Sequence, residues 1–157
     1  GGNFWRSSGG GASYLCMHPE PQFRRQTIKG LHGKLYGGEY DVGGSNFGNS
    51  NLKNGDNIPC AVCQSHRGSQ ELMIPGRITC VQGWTRQYTG YLATEYYGRS
   101  HASSSGYICM DSRPIAGKGV HRNDNGALPY PVKATCGALP CPKYRKDKSI
   151  TCVVCTK

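Results

Sequence analysis

Apolar and polar positions alternate along this chain in short runs. Ser13–Met17, Ile58–Gln64, Glu71–Ile74, Tyr88–Thr94, Tyr107–Met110, Pro131–Thr135 and Ile150–Thr156 are strand-like in length and residue type. Between them lie stretches rich in Gly, Asn and Ser at 37–57, 98–106 and 111–127, which read as surface loops. Residues 1–13 are Gly/Ser-rich and resemble an extended arm carrying Phe4 and Trp5. Helical periodicity is weak and confined to Gln22–Lys29, where Pro19, Pro21 and Gly30 block extension. The pattern predicts an all-β fold of short strands and long loops.

Composition strengthens that reading. At 157 residues the chain has one domain's worth of length, but only 36% of it is hydrophobic and 23 residues are Gly. So thin a core calls for cross-links, and nine cysteines can supply them. The sequence starts at Gly1 without an apolar leader, as a mature secreted product would after signal-peptide removal. No apolar run reaches bilayer-spanning length, and no Asn-x-Ser/Thr acceptor is present.

The net charge of +10 raises the question of anionic partners. The basic residues read as scattered, at Arg24-Arg25, Lys143, Arg145-Lys146 and Lys148, without a nucleic-acid-binding signature. Sulfated or sialylated glycans suit such charge better, as does an anionic cell surface. Solubility alone is the plainer account.

The cysteines reveal an internal duplication. Tyr14-Leu15-Cys16-Met17 recurs as Tyr107-Ile108-Cys109-Met110, at an offset of 93. Cys60-Ala61-Val62-Cys63 recurs as Cys152-Val153-Val154-Cys155, at an offset of 92. Two motifs at nearly one offset define two pseudo-repeats within a single domain, about 4–63 and 74–155. Cys80, Cys136 and Cys141 stand outside the shared pattern.

Paired C-x-x-C motifs invite a zinc or redox reading. Metal ribbons turn tightly between their ligands, whereas the Ala-Val and Val-Val spacers here favour extended strand. In a strand, residues i and i+3 point to opposite faces, so the two sulfurs diverge. A thioredoxin-type pair needs a helix N-terminus, which nothing here predicts. Structural disulfides to separate partners are the favoured reading, with zinc the alternative.

No catalytic constellation stands out. The chain lacks G-x-S-x-G, H-E-x-x-H and a phosphate-binding glycine loop. Arg122-Asn-Asp-Asn-Gly126 lacks regular calcium-loop spacing and reads as an Asx turn. Carbohydrate binding asks for less: an aromatic face and a few fixed donors and acceptors. The densest suitable cluster contains Arg77, Trp84, Tyr88, Tyr91, Glu95, Tyr96, Tyr97, Arg99, His101 and Asp111. Within it, Arg77, Trp84, Tyr88, Glu95, His101 and Asp111 are the candidate carbohydrate-binding residues, although Trp84 and Tyr91 also suit a core role. Glu39, Tyr40 and Asp41 form a second polar–aromatic group in the first half.

The motif series resembles a known family. Ile58-Pro-Cys-Ala-Val-Cys63 and Ile74-Pro-Gly-Arg-Ile-Thr-Cys80, followed by Gly83-Trp84 and Gly90-Tyr91, resemble the C-terminal non-collagenous domain of basement-membrane collagen. The match is closer to the corresponding domain of invertebrate short-chain (spongin-type) collagens, a domain that free-standing marine-invertebrate lectins resemble as well. It runs from Tyr14 to Cys155 and includes the Asn125-Gly-Ala-Leu128 and Cys136-Gly-Ala-Leu-Pro-Cys-Pro142 segments.

The resemblance implies a secreted, duplicated β domain that trimerises. It also implies the pairings Cys80–Cys155, Cys109–Cys152, Cys136–Cys141 and Cys16–Cys60. Cys63 then lacks the partner that an opening C-x-x-G-W segment supplies in the family, and is expected to be buried and free or to bridge subunits. No Gly-X-Y repeat is present, so the chain forms no triple helix. The expected function is a multivalent, non-catalytic lectin with no cofactor or metal. Its partners would be N-acetylhexosamine or galactose-type glycans, not nucleic acid. The alternative is a trimerising module of the extracellular matrix.

Overall fold

The computed structural model describes residues 14–18, 20–24, 30, 35–43, 47–48, 51–64, 70–95, 106–117 and 122–157. All its regular structure is β: β1 (Glu71–Pro75), β2 (Thr85–Glu95), β3 (Ile108–Asp111), β4 (Pro129–Pro131) and β5 (Thr151–Thr156). Each coincides with or adjoins a run of alternating or β-branched residues in the second half. No described helix is long and apolar enough to cross a membrane.

The sheet is antiparallel, in the order β1-β5-β2-β3. β4 pairs with the end of β2 on the same edge as β5, since Leu92 donates its N–H to Ile150 and accepts from Val132. The central strand, β5, is apolar on both faces, and Cys152, Val153, Val154 and Cys155 are all buried. That continuous apolar run is what a strand with neighbours on both edges and cover on both faces requires.

Four disulfides form: Cys16–Cys60, Cys80–Cys155, Cys109–Cys152 and Cys136–Cys141. They are the pairings the family resemblance implies. Cys152 and Cys155 send their sulfurs to different partners, as strand alternation requires. Three of the four C-x-x-C thiols are thereby committed to disulfides. Such a set fits an oxidising compartment. The Cys109–Cys152 bridge spans β2 at Gly90, which pairs with Cys152 on one side and Asp111 on the other. A side chain at Gly90 would collide with the Met110 carbonyl.

The first half contributes no strand among its described residues. Ser13–Met17 and Ile58–Gln64 are strand-like in sequence, but 14–17 and 58–64 are not strands in the fold. No described strand lies beside them to take up their backbone groups, and Leu15, Met17 and Val62 are 53%, 59% and 89% exposed. The helical run Gln22–Lys29 lies largely outside the described residues.

The first half instead packs as irregular chain on the sheet. Tyr40, Phe47 and Leu52 are buried with Ala93 and Met110, flanked by Val42, Ile58, Tyr91 and Ile108. Tyr91 therefore serves the core. Polar contacts complete the attachment. The buried Glu39 carboxylate accepts backbone N–H bonds from Asp124 (3.1 Å) and Gly126 (3.1 Å). Tyr40 donates its hydroxyl to the Ile115 carbonyl, and Tyr130 donates to Asp41 at 2.7 Å. Gly126 must lack a side chain, because a Cβ there would strike the Gly37 carbonyl and Glu39 Oε1.

Candidate functional site

Cross-strand register determines which side chains share a sheet face. Tyr88 pairs with Val154, and Val154 with Met73, so these three lie on one face. Glu71 joins them two residues along β1, and Asp111, opposite Gly90, does so at the end of β3. The other face carries Tyr91, Ala93 and Met110 and is covered by the first half.

Tyr88 is half-buried and donates its hydroxyl to the Cys109 carbonyl at 3.1 Å, which fixes the ring. Its phenol is held above the ordinary range, first by burial and then by the negative charge of Glu71, Asp111 and Cys63. All three groups therefore lie within electrostatic reach of the ring. Asp111 is exposed, and its Oδ1 accepts the Arg113 N–H at 2.8 Å. That Asx turn orients the carboxylate, and no hydrogen bond engages Oδ2 among the described residues. A half-buried ring beside an oriented, partly free carboxylate can cover a sugar's apolar face and accept from its hydroxyls.

The other described candidates stand in the β1–β2 connection and at the far end of β2. Arg77 is exposed in the β1–β2 connection, where its guanidinium donates to Thr79 Oγ1 at 3.0 Å. Trp84 ends that connection, partly buried. Glu95 closes β2 at the opposite end, and burial raises its carboxyl above the usual range. Trp84 and Glu95 are thus separated by the length of β2, roughly 35 Å at about 3.4 Å per residue. No single monosaccharide site can contain both. His101 falls outside the described residues, as do Tyr96, Tyr97 and Arg99.

The second polar–aromatic group faces inward. Glu39 and Tyr40 are buried, and all three residues are engaged in fastening the first half to 115–130. Burial pushes the Tyr40 phenol up to about 12, with the charges of Asp111 and Asp56 adding to the effect. Arg122-Asn-Asp-Asn-Gly126 is the loop held by Glu39, with an exposed Arg122–Asp124 ion pair at 3.2 Å across it.

Two features escaped the sequence reading. Glu71 reaches the Tyr88 face only through the β1–β5–β2 register, which no local motif encodes. The first half also holds an open cleft of about 440 Å³, lined chiefly by Leu15, Met17, Leu35, Tyr36 and Ile58. Its sequence signal is the Leu15/Met17 alternation, which is equally the pattern of a strand. Cys63 is exposed, which corrects the expectation that a free thiol there would be buried. Comparison with protein-family models, curated proteins and solved structures finds no match.

Proposed function

We propose that this chain is a secreted, oligomeric lectin that binds neutral glycans without catalysis, with Tyr88 and Asp111 at the centre of its site. The observation that carries this reading is the Tyr88–Asp111 arrangement. It combines an immobilised, half-buried ring and a pre-oriented carboxylate on the sheet face opposite the one where Tyr40, Phe47 and Leu52 pack. The resemblance to spongin-type collagen domains supports the assignment and points to N-acetylhexosamine or galactose-type termini. Trimerisation would give avidity from individually weak sites.

A second reading, a trimerising matrix module without a sugar site, is favoured by one observation. Leu15, Met17, Leu35 and Val62 leave an apolar surface on the first half that suits subunit contacts.

Glycan-array binding and sugar-inhibited haemagglutination decide between the two. The lectin reading predicts binding that Tyr88→Ala and Asp111→Ala each weaken at least about tenfold with the fold retained, equivalent to about 1.4 kcal/mol. A trimer that binds no glycan at high concentration would establish the matrix module instead. Glycan binding unaffected by both substitutions would place the site elsewhere.

A further inference from the structure

We infer that the cationic loop cluster at 133–149 is a binding site for sulfated polysaccharide, separate from the Tyr88 face. In sequence, Lys133 stands apart from Lys143, Arg145, Lys146 and Lys148. The fold joins them. Lys133 bridges Ser149, Ala134 donates to the Lys148 carbonyl at 3.0 Å, and Asp147 donates back to the Ala134 carbonyl at 3.0 Å. Lys148 in turn donates to Arg145 at 3.1 Å, closing the turn that presents Arg145, Lys146 and Lys148 together. The Cys136–Cys141 disulfide and the Tyr144 bond to Pro140 brace the adjoining segment.

All five cationic residues are exposed, and Asp147 is the one carboxylate in the stretch. None of the five forms an ion pair among the described residues. Main-chain bonds and a disulfide brace the loop, and none of these bonds uses the five side chains. One exposed cation gains little from one anion, on the order of 1 kcal/mol or less. A polymer with repeated anionic groups engages several at once and releases its counterions. Binding should therefore fall steeply with salt.

The choice of polyanion follows from two observations. The loop's aromatic ring, Tyr144, packs toward Gly76, with its hydroxyl 3.6 Å from where a Cβ there would sit. It leaves no stacking platform of the kind single-stranded nucleic acid uses. Four disulfides also fit an extracellular type of compartment, where sulfated chains occur.

The test measures affinity for heparin-type polysaccharide, for its fully desulfated form, for single-stranded DNA and for phosphatidylserine vesicles. The native chain is compared with a Lys143→Gln/Arg145→Gln/Lys146→Gln/Lys148→Gln variant. An equal-charge control carries Arg24→Gln, Lys53→Gln, Arg86→Gln and Arg113→Gln. The expected result is sulfation-dependent binding, weakened at least about tenfold in the loop variant and within about twofold in the control. The salt dependence should also become shallower in the loop variant. Single Lys143→Gln and Lys146→Gln variants, each about twofold weaker, carry the comparison should the quadruple variant misfold. Equal losses in variant and control would overturn the proposal by showing that net charge alone is responsible. So would binding that ignores sulfation, or tighter binding to DNA or vesicles. The outcome is independent of the neutral-glycan reading, which its own assay decides.

Discussion

Cys60–Cys63 and Cys152–Cys155 carry nearly the same four residues, and each first cysteine closes a disulfide across a similar span, 44 and 43 residues. One segment is exposed coil; the other is the buried central strand. Their neighbours make the difference. β5 has β1 on one edge and β2 on the other, whereas no described strand flanks Cys60–Cys63. A β-branched run is therefore permissive for strand, and partners on its edges decide the outcome.

The sharpest challenge to this comparison removes each bridge in turn. Nearly equal loops give each disulfide a similar closure-entropy contribution, about 4 kcal/mol. The Cys109→Ala/Cys152→Ala pair should lose roughly 1–2 kcal/mol more than Cys16→Ala/Cys60→Ala, because Cys152 is fully buried. Denaturant midpoints measure the gap. Equal losses would mean that packing around β5 adds nothing.

Single valines come next. Val154 is 7% exposed and its counterpart Val62 is 89% exposed. Val154→Ala should cost about 2 kcal/mol by thermal melt, and Val62→Ala less than about 0.5. A comparable shift in both would imply that Val62 is covered in solution, as a subunit contact would cover it.

The attachment between halves has its own pH signature. Tyr40 ionises near 12 in the fold, against an ordinary value of 10.0. The unfolded chain therefore loses this proton first, and stability falls as pH rises from about 10 toward 12. Below that window Tyr40 contributes no pH dependence. Ultraviolet titration should show late tyrosinates, one of which Tyr40→Phe removes while that of Tyr88 remains.

The smallest effect concerns Cys63, whose modification should leave stability unchanged. One thiol per chain should react under native conditions, at Cys63, while Cys155 stays protected. If none reacts and reduction releases smaller species, Cys63 bridges subunits.

Much of the second half was legible in the sequence. Alternation located β1, β2, β3 and β5 to within a few residues, and strand geometry separated the sulfurs of Cys152 and Cys155. The run Pro131–Thr135 overlaps β4 only at Pro131, because Pro129 and Pro131 hide the pairing with Thr94 and Glu95 from any propensity argument. The first half misled, since Leu15, Met17 and Val62 sit in runs of strand-like character but have no strand to join among the described residues. The candidate site was partly legible. Tyr88 and Asp111 are 23 positions apart and meet through β2–β3 register, whereas Trp84 and Glu95 looked close in sequence and sit at opposite ends of one strand. Burial of Glu39 and Tyr40 depended on contacts from 115–126, which no local window contains.

The Glu39 carboxylate has a kinetic meaning as well. Its two bonds span 85 and 87 positions, and Asp41 meets Tyr130 across 89. The sheet closes over similar distances, since Glu71 of β1 pairs with Thr156 of β5, so sheet and attachment alike rest on non-local contacts that slow folding. During synthesis the first half emerges before the residues that hold it. Until they arrive, Tyr40, Phe47 and Leu52 lack the Ala93 and Met110 surface against which they are buried in the finished fold. The second half is thus the surface on which the first half builds its share of the core.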